Sequence, residues 1–123
     1  MRCEFSELLS QTLSSVAVGL DEVHFVAASG AKYRLYHRQD CCESVTVEDV
    51  IGDPEDLVGS PILMAEAVSR TDRPVVHPPP TWAREGRTWT FYKLATVKGY
   101  VTIRFYGTSN GWYSESVDFE RCD

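Results

Sequence analysis

Alternating apolar and polar positions dominate the last third of the chain. The runs Thr88 to Val97 and Tyr100 to Tyr106 are rich in aromatic and β-branched residues, and a third β-prone run extends from about Tyr113 to Phe119. Lys98-Gly99 separates the first two runs and Asn110-Gly111 the last two, and both dipeptides favour tight reversals. This pattern predicts three consecutive antiparallel strands.

The alternation also predicts which residues face each other across these strands, because a slip of one residue would reverse every side chain. We expect the first hairpin to place Lys93 opposite Arg104. A bulged loop in the second hairpin would place Arg104 opposite Asp118 and Phe105 opposite Val117.

In this register the strands have one apolar face and one face of cations and aromatic rings. The apolar face comprises Tyr92, Leu94, Val101, Ile103, Phe105, Val117 and Phe119. The other face carries the candidate ligand-binding residues Arg104, Lys93, Tyr106, Phe91 and Trp89. Cations beside aromatic rings suit an anionic ligand with a flat base. The alternative is structural, since an exposed ion pair between Arg104 and Asp118 is worth only about 0–1 kcal/mol and needs no ligand.

The N-terminal half shows the same meander pattern. Its β-prone runs are Thr12 to Gly19, Val23 to Ala28, Lys32 to Arg38 and Ser44 to Ile51. In the third of these runs the alternation places a cation and an aromatic residue on one face. Two further candidate ligand-binding residues are therefore Arg34 and Tyr36.

Short helical segments interrupt the strands. One turn is expected within Ser6 to Gln11, and another begins with Asp53 as its cap and Pro54 at its first position. Ile62 to Val68 is interpreted as a strand, although its Ala and Met residues also suit a helix. The predicted fold class is α+β: mainly antiparallel β-sheet, built of meanders and hairpins, with one or two short helices.

Arg70 to Gly86 is predicted to be a long irregular segment. It contains four prolines, four arginines counted through Arg87, and Trp82. Long loops in compact domains are either functional or loosely ordered. If the segment is a lid that places the Trp82 ring on a bound base, Trp82 is a candidate ligand-binding residue. Alternatively, Trp82 fills a gap in the core. The sequence favours neither interpretation.

The bulk composition indicates a single domain over residues 1–123. The chain has a mass of 13.9 kDa, 43% apolar and 24% charged residues, which is ordinary for a folded protein. Its formal net charge of −6 argues against binding of nucleic acid polymers. The N-terminus lacks the apolar run of a signal peptide, and no run is long enough to span a membrane, so we expect no membrane association and a cytoplasmic location.

The four cysteines are expected to be free thiols, because nothing indicates secretion. They are Cys3, Cys41, Cys42 and Cys122. His37 and Glu43 lie near two of them, but the spacing matches no zinc pattern and provides no activating partner for a thiol nucleophile. We therefore expect no catalytic residue, no metal and no cofactor.

Four sequence strings resemble a small domain family of phages and prophages. They are YHRQDCCESV at Tyr36 to Val45, GSPIL at Gly59 to Leu63, WTFYK at Trp89 to Lys93 and GTSNG at Gly107 to Gly111. The family they resemble is the Thoeris anti-defence sponge family. The resemblance covers about Tyr33 to Glu120.

This resemblance implies a non-enzymatic protein that sequesters cyclic ADP-ribose signals made by bacterial TIR-domain enzymes. It also implies a homo-oligomer with pockets at subunit contacts, and in some members a second site for cyclic oligonucleotides. The adenine, riboses and pyrophosphate of such a ligand would fit a face that pairs Arg and Lys with aromatic rings. The family's binding residues are not transferred to positions of this chain.

Two other functions remain open. A small acidic phage protein can inhibit a host protein by direct binding, because its charge can cover a basic partner. A nucleotide hydrolase is the less favoured alternative, since no His, Cys or carboxylate has a recognisable activating partner in the sequence.

Overall fold

The computed structural model describes residues 2–39, 43–72, 86–109 and 115–122, which form mostly antiparallel β-sheet. The strands are β1 (Leu13–Val18), β2 (Val23–Ala27), β3 (Lys32–Tyr36), β4 (Ser44–Ile51), β5 (Met64–Asp72), β6 (Gly86–Thr96), β7 (Gly99–Ser109) and β8 (Asp118–Arg121). They form two four-stranded sheets with the strand orders β1-β2-β3-β8 and β4-β7-β6-β5. Consecutive strands pair antiparallel in β1-β2-β3 and in β5-β6-β7, as predicted in outline, whereas β4 and β8 do not continue these meanders.

One hydrophobic core joins the two sheets. Each sheet buries alternate side chains, such as Phe25 and Leu35 from the first sheet and Leu94 and Ile103 from the second. Full burial of side chains of this size stabilises a fold by roughly 1.5–3 kcal/mol each relative to exposure. The same alternation leaves the opposite face of each sheet to polar and aromatic residues.

Phe5 connects the two sheets at one end of this core. It lies in a 3-10 turn (Phe5–Leu8), and its ring meets those of Tyr92 and Phe119 edge-on at centroid distances of 4.8 and 5.3 Å. Tyr92 belongs to the second sheet and Phe119 to the first. Burial raises the pKa of the Tyr92 hydroxyl, which keeps this residue neutral in the core.

The hairpin between β6 and β7 forms as predicted, but its turn lies one residue earlier. Thr96 is opposite Gly99, so Lys93 faces Thr102 and Arg104 faces Phe91. The predicted pair of Lys93 and Arg104 is therefore wrong. Because the register differs by two residues, every side chain keeps its predicted face.

The predicted third strand of this meander belongs to the other sheet. β8 pairs with β3, so that Asp118 lies opposite Tyr36, and β4 takes the predicted place beside β7. The pairs of Arg104 with Asp118 and Phe105 with Val117 are therefore wrong. Residues 110–114, which include the predicted Asn110-Gly111 turn, lie outside the described residues.

The helical segments are shorter than the predicted α+β class requires. Phe5–Leu8 and Pro54–Leu57 are 3-10 turns of four residues each, and the described part of the chain contains no α-helix. The predicted cap is confirmed, since the Asp53 side chain accepts a hydrogen bond from the Glu55 backbone N–H at 3.0 Å. The fold is thus mainly antiparallel β, and the α+β label is not confirmed.

β5 extends further than the sequence indicated. It begins at Met64 rather than Ile62 and continues to Asp72, with an unbroken register against β6 from Met64–Ala95 to Asp72–Arg87. Arg70 is therefore part of a strand and not of an irregular segment. Residues 73–85, and Trp82 with them, lie outside the described residues.

Two glycines with the same positive φ provide a test of the turn geometry. Gly30 and Gly52 both have φ +96°, but a Cβ on Gly52 would collide with the carbonyl oxygen of Tyr100, whereas a Cβ on Gly30 would meet nothing within 4 Å. Gly30→Ala should cost about 1–2 kcal/mol for the left-handed conformation alone. Gly52→Ala should cost at least about 1 kcal/mol more, because of the collision. Urea unfolding of both variants measures the difference, and equal losses would contradict this geometry.

Candidate ligand-binding cleft

A cleft of about 460 Å³ opens on the outer face of the second sheet, the side turned away from the core. Its lining residues are Glu48, Arg70, Thr71, Trp89, Phe91 and Arg104. Small-molecule sites usually have volumes of roughly 300–1,000 Å³, so the size suits a small ligand. Three candidate residues from the sequence, Trp89, Phe91 and Arg104, therefore lie together in one cleft.

Strand register explains why these side chains converge. Phe91 in β6 lies between Val68 in β5 and Arg104 in β7. Two residues earlier in β6, on the same face, Trp89 lies between Arg70 in β5 and Tyr106 in β7. Residues directly opposite in antiparallel strands share a face, so cations from two strands flank the aromatic rings of β6.

A bulge in β4 supplies the acidic side of the cleft. The register of β4 against β7 shifts between Val47 and Asp49, so Glu48 is an extra residue beside Arg104. Glu48 Oε1 lies 2.8 Å from Arg104 Nε, and Asp49 Oδ2 lies 3.7 Å from Arg104 Nη2. Arg104 therefore pairs with β4 carboxylates rather than with Asp118.

The contact between Arg104 and Glu48 is an ion pair without a well-formed hydrogen bond. The two atoms are close enough for an ion pair, but the buried Nε–H of Arg104 has no acceptor in hydrogen-bonding geometry among the described residues. A buried donor left without an acceptor costs about 1–3 kcal/mol. A ligand oxygen could accept from this N–H only by displacing the Glu48 carboxylate, whose Oε1 lies 2.8 Å away.

The other two candidates on this face, Tyr106 and Lys93, lie outside the cleft. Tyr106 packs against Trp89 with a centroid distance of 5.2 Å and an interplanar angle of 38°. Lys93 is exposed and lies opposite Glu66 and Thr102, one pair beyond Phe91. Neither belongs to the described lining, so Tyr106 supports the Trp89 ring and Lys93 lies at a distance from it.

Arg34 and Tyr36 lie on the first sheet, apart from this cleft. The Arg34 guanidinium is 3.9 Å from the centre of the Tyr36 ring, and its Nε donates to Glu120 Oε1 at 2.7 Å. The Tyr36 hydroxyl donates to Glu120 Oε2 at 3.0 Å. These three side chains satisfy one another, which is the arrangement of a structural ion-pair cluster.

This cluster shifts the pKa values of its members. The hydrogen bond from Arg34 lowers the pKa of the Glu120 carboxyl, while burial raises it to a smaller extent. Burial, followed by the hydrogen bond to Glu120, raises the pKa of Tyr36. Burial lowers the pKa of Arg34, but the hydrogen bond and charge of Glu120 outweigh that effect and raise it. All three groups keep their charge states at neutral pH.

Sequence reasoning missed three residues of the cleft. Arg70 and Thr71 were assigned to an irregular segment, although the alternation of Glu66, Val68 and Arg70 could have extended β5 to include them. Glu48 reaches Arg104 through the bulge of β4, and no local sequence pattern marks that bulge.

Beside the start of β4, a buried histidine side chain pairs with a buried carboxylate. His37 Nδ1 is 2.7 Å from the carbonyl oxygen of Ser116, which can only accept, so this nitrogen is the donor. His37 Nε2 lies 2.9 Å from Glu43 Oε1, and the side chains are 6% and 0% exposed. The His37 side chain therefore links the segment before β8 to the start of β4.

A second buried carboxylate, Glu115, lies at the end of β7. It accepts a hydrogen bond from the Thr88 hydroxyl at 2.7 Å and another from the Ser109 hydroxyl. Gly107 makes room for it, because a Cβ there would lie 2.9 Å from the Glu115 Cβ. These bonds attach the segment before β8 to β6 and β7.

Thiols and metal ligands form no centre in the described part of the chain. Cys3 and Cys122 are free thiols, and burial raises the pKa of Cys3; Cys41 and Cys42 lie outside the described residues. Among the residues that are described, no three His, Cys, Asp or Glu side chains are grouped so that they could bind a metal ion. The described helical segments include none that is long and apolar enough to cross a membrane.

Comparison with known families places this chain in one of them. Residues 6–119 match the model of a domain family of unknown function, DUF7448, and the chain belongs to that family. No curated protein matches the chain, and no solved structure does.

The Glu120 cluster gives a pH-dependent prediction. Because the pKa of Glu120 is lowered in the folded protein, its contribution to stability is complete above the ordinary value of 4.5 and is lost as the pH falls through the folded pKa. Glu120→Gln should cost about 1 kcal/mol or less at pH 7, and this difference should shrink in acid. Urea unfolding at pH 7 and below pH 4.5 measures it, with Glu55→Gln as a control that removes an exposed carboxylate with no ion pair to another described residue. A loss that is constant across this range would contradict the assignment.

Proposed function

We propose that this protein is an anti-defence sponge of phage or prophage origin that sequesters a cyclic ADP-ribose-type nucleotide signal made by TIR-domain enzymes. The observation that carries the proposal is the cleft in which Arg104 and Arg70 lie beside Trp89 and Phe91. The resemblance in the sequence supplies the ligand class, and the cleft supplies groups of matching chemistry.

Each part of such a ligand has a counterpart in the cleft. The guanidinium groups of Arg70 and Arg104 suit a pyrophosphate, since charge-assisted contacts of this kind are frequently bidentate. The rings of Trp89 and Phe91 suit adenine, because stacking of a base on an aromatic side chain is worth about 1–3 kcal/mol. The Glu48 carboxylate suits ribose hydroxyls, from which it can accept hydrogen bonds.

Ligand binding would exchange one partner of Arg104 for another. In the free protein the guanidinium lies between Glu48 and Asp49, and its Nε–H lacks a well-placed acceptor among the described residues. A phosphate oxygen at that position would satisfy the donor and free Glu48 to turn towards a ribose. Arg70 forms no ion pair with another described residue of its own chain, so no carboxylate in that part of the chain has to be displaced from it.

Binding without cleavage fits the residues that line the cleft. The described lining holds one carboxylate, one hydroxyl and no histidine or cysteine, and Glu48 is engaged by Arg104. A hydrolase would need an activated nucleophile and a group to protonate the leaving oxygen. We therefore propose that the protein holds its ligand intact, in the cytoplasm of the host cell.

Inhibition of a host protein by direct binding is the second candidate. The observation that favours it is the net charge of −6, which would steer the chain towards a basic surface. In that case the cleft would be a surface feature, and no nucleotide would stabilise the protein.

Calorimetric titration of cyclic ADP-ribose isomers into native protein and Arg104 variants tests the proposal. Arg104→Ala should weaken binding by about tenfold to more than a hundredfold, since loss of a hydrogen bond to a charged group costs about 1.5–3 kcal/mol. Arg104→Lys should be nearly as harmful, because an ammonium cannot reproduce a forked contact.

Arg34→Ala is the matched control, because Arg34 has the same exposure as Arg104, about 30%, and also pairs with carboxylates but lies on the other sheet. It should leave the affinity unchanged. Trp82→Ala, in the same titration, measures whether the predicted lid contributes. The bound ligand should be recovered intact after the complex is heated. Native protein that binds no isomer, or a folded Arg104→Ala variant with native affinity, would overturn the proposal.

A further inference from the structure

The four edge strands of the two sheets differ in how well they could accept another strand. β1 carries a register shift between Leu13 and Ser15, and β4 carries one between Val47 and Asp49. β8 has only four residues, and Arg2 already bridges to its Glu120. Bulges, shortness and covering segments are the usual means by which proteins prevent unwanted pairing at sheet edges.

Within the described residues, β5 has no bulge and is not short. It is nine residues long, pairs with β6 without a shift along its whole length and contains no Pro, Gly or Lys. Within the described residues β6 is its only strand partner. Side chains from Glu66 to Thr71 are all exposed, including Val68 at 46%. A long, flat and exposed edge of this kind is suited to pairing with another chain.

The sequence of β5 is complementary to itself when it runs antiparallel about Val68. Val68 then faces Val68 of a second copy, and Glu66 faces Arg70 of that copy in two symmetric contacts. Neither Glu66 nor Arg70 forms an ion pair with another described residue of its own chain. Opposite charges facing each other across strands stabilise pairing, whereas like charges oppose it.

Other registers lack this match. A shift of two residues in one direction places Glu66 opposite Val68, and a shift in the other direction places Arg70 opposite Val68. Each loses both contacts between opposite charges and sets a charge against Val68 at the centre of the pair, whereas in the proposed register such a mismatch occurs at the strand ends, where Met64 is opposite Asp72. Shifts of one residue would turn the outer face of one copy towards the core side of the other.

We propose that two copies of this chain pair through β5, antiparallel and centred on Val68, so that their second sheets join into one continuous sheet. A two-fold axis perpendicular to the sheet keeps both outer faces on the same side, so both clefts open in the same direction. Glu66 of each copy then lies beside Arg70 of the other, at the rim of that copy's cleft. The proposal concerns the free protein and does not depend on the identity of any ligand.

Sedimentation equilibrium of four proteins without ligand tests this interface. Native protein should form a dimer of twice 13.9 kDa. Glu66→Lys places two like-charged pairs in the dimer, as does Arg70→Glu, and each should raise the dimer dissociation constant about tenfold or more. Glu55→Lys, the same charge change on an exposed residue of the second 3-10 turn, should leave it unchanged.

Two rescue measurements make the register itself testable. The double variant E66K/R70E restores both opposite-charge contacts and should dimerise again. An equimolar mixture of the two single variants should form heterodimers. In these the introduced lysine of one variant faces the introduced glutamate of the other, and the native Glu66 and Arg70 that remain face each other. Circular dichroism confirms that each variant is folded. A monomeric native protein, single variants that dimerise as tightly as native, or a mixture that stays monomeric would each overturn the proposal.

Discussion

The position of β7 between β4 and β6 determines which side chains surround Arg104 on the outer face of the second sheet. Arg104, near the middle of β7, is held between Asp49 of one neighbour and Phe91 of the other, so its charge lies among both carboxylates and rings. The buried residues on either side of it, Ile103 and Phe105, fix the strand in the core. A cation in this place cannot move with its strand unless the core moves too, so the cleft is built on a rigid support.

The charged groups of the cleft are only partly paired with one another in the free protein. Glu48 neutralises Arg104 but leaves its Nε–H without a proper hydrogen bond, while Arg70 has no described ion-pair partner. The Arg34 cluster differs, because its guanidinium, hydroxyl and carboxylate satisfy one another. Both sites contain an arginine beside an aromatic ring, so residue type alone does not separate a binding cleft from a structural cluster. The two sites differ in their hydrogen bonds: the Arg104 Nε–H has no acceptor among the described residues, whereas the Arg34 Nε–H donates to Glu120.

The alternation of apolar and polar residues predicts which face of a strand each side chain occupies, but it does not predict the order of the strands in the sheets. A period of two assigns Phe91 and Arg104 to the same side whatever the exact turn, which is why the outer face was predicted even though the hairpin register differed by two residues. Strand order depends on pairing between distant segments, such as β4 with β7 and β3 with β8, and alternation carries no information about such partners. The bulge that brings Glu48 to Arg104 depends on that order, so it could not be predicted either.

The central claim is that a nucleotide binds on the outer face of the second sheet, and NMR titration tests it most directly. A cyclic ADP-ribose isomer added to ¹⁵N-labelled protein should shift the indole N–H of Trp89 and the Nε–H of Arg104 most strongly. The Nε–H of Arg34, on the first sheet, should stay in place. Shifts that appear around Arg34 and Glu120 instead, or a spectrum that does not change at saturating ligand, would contradict the claim.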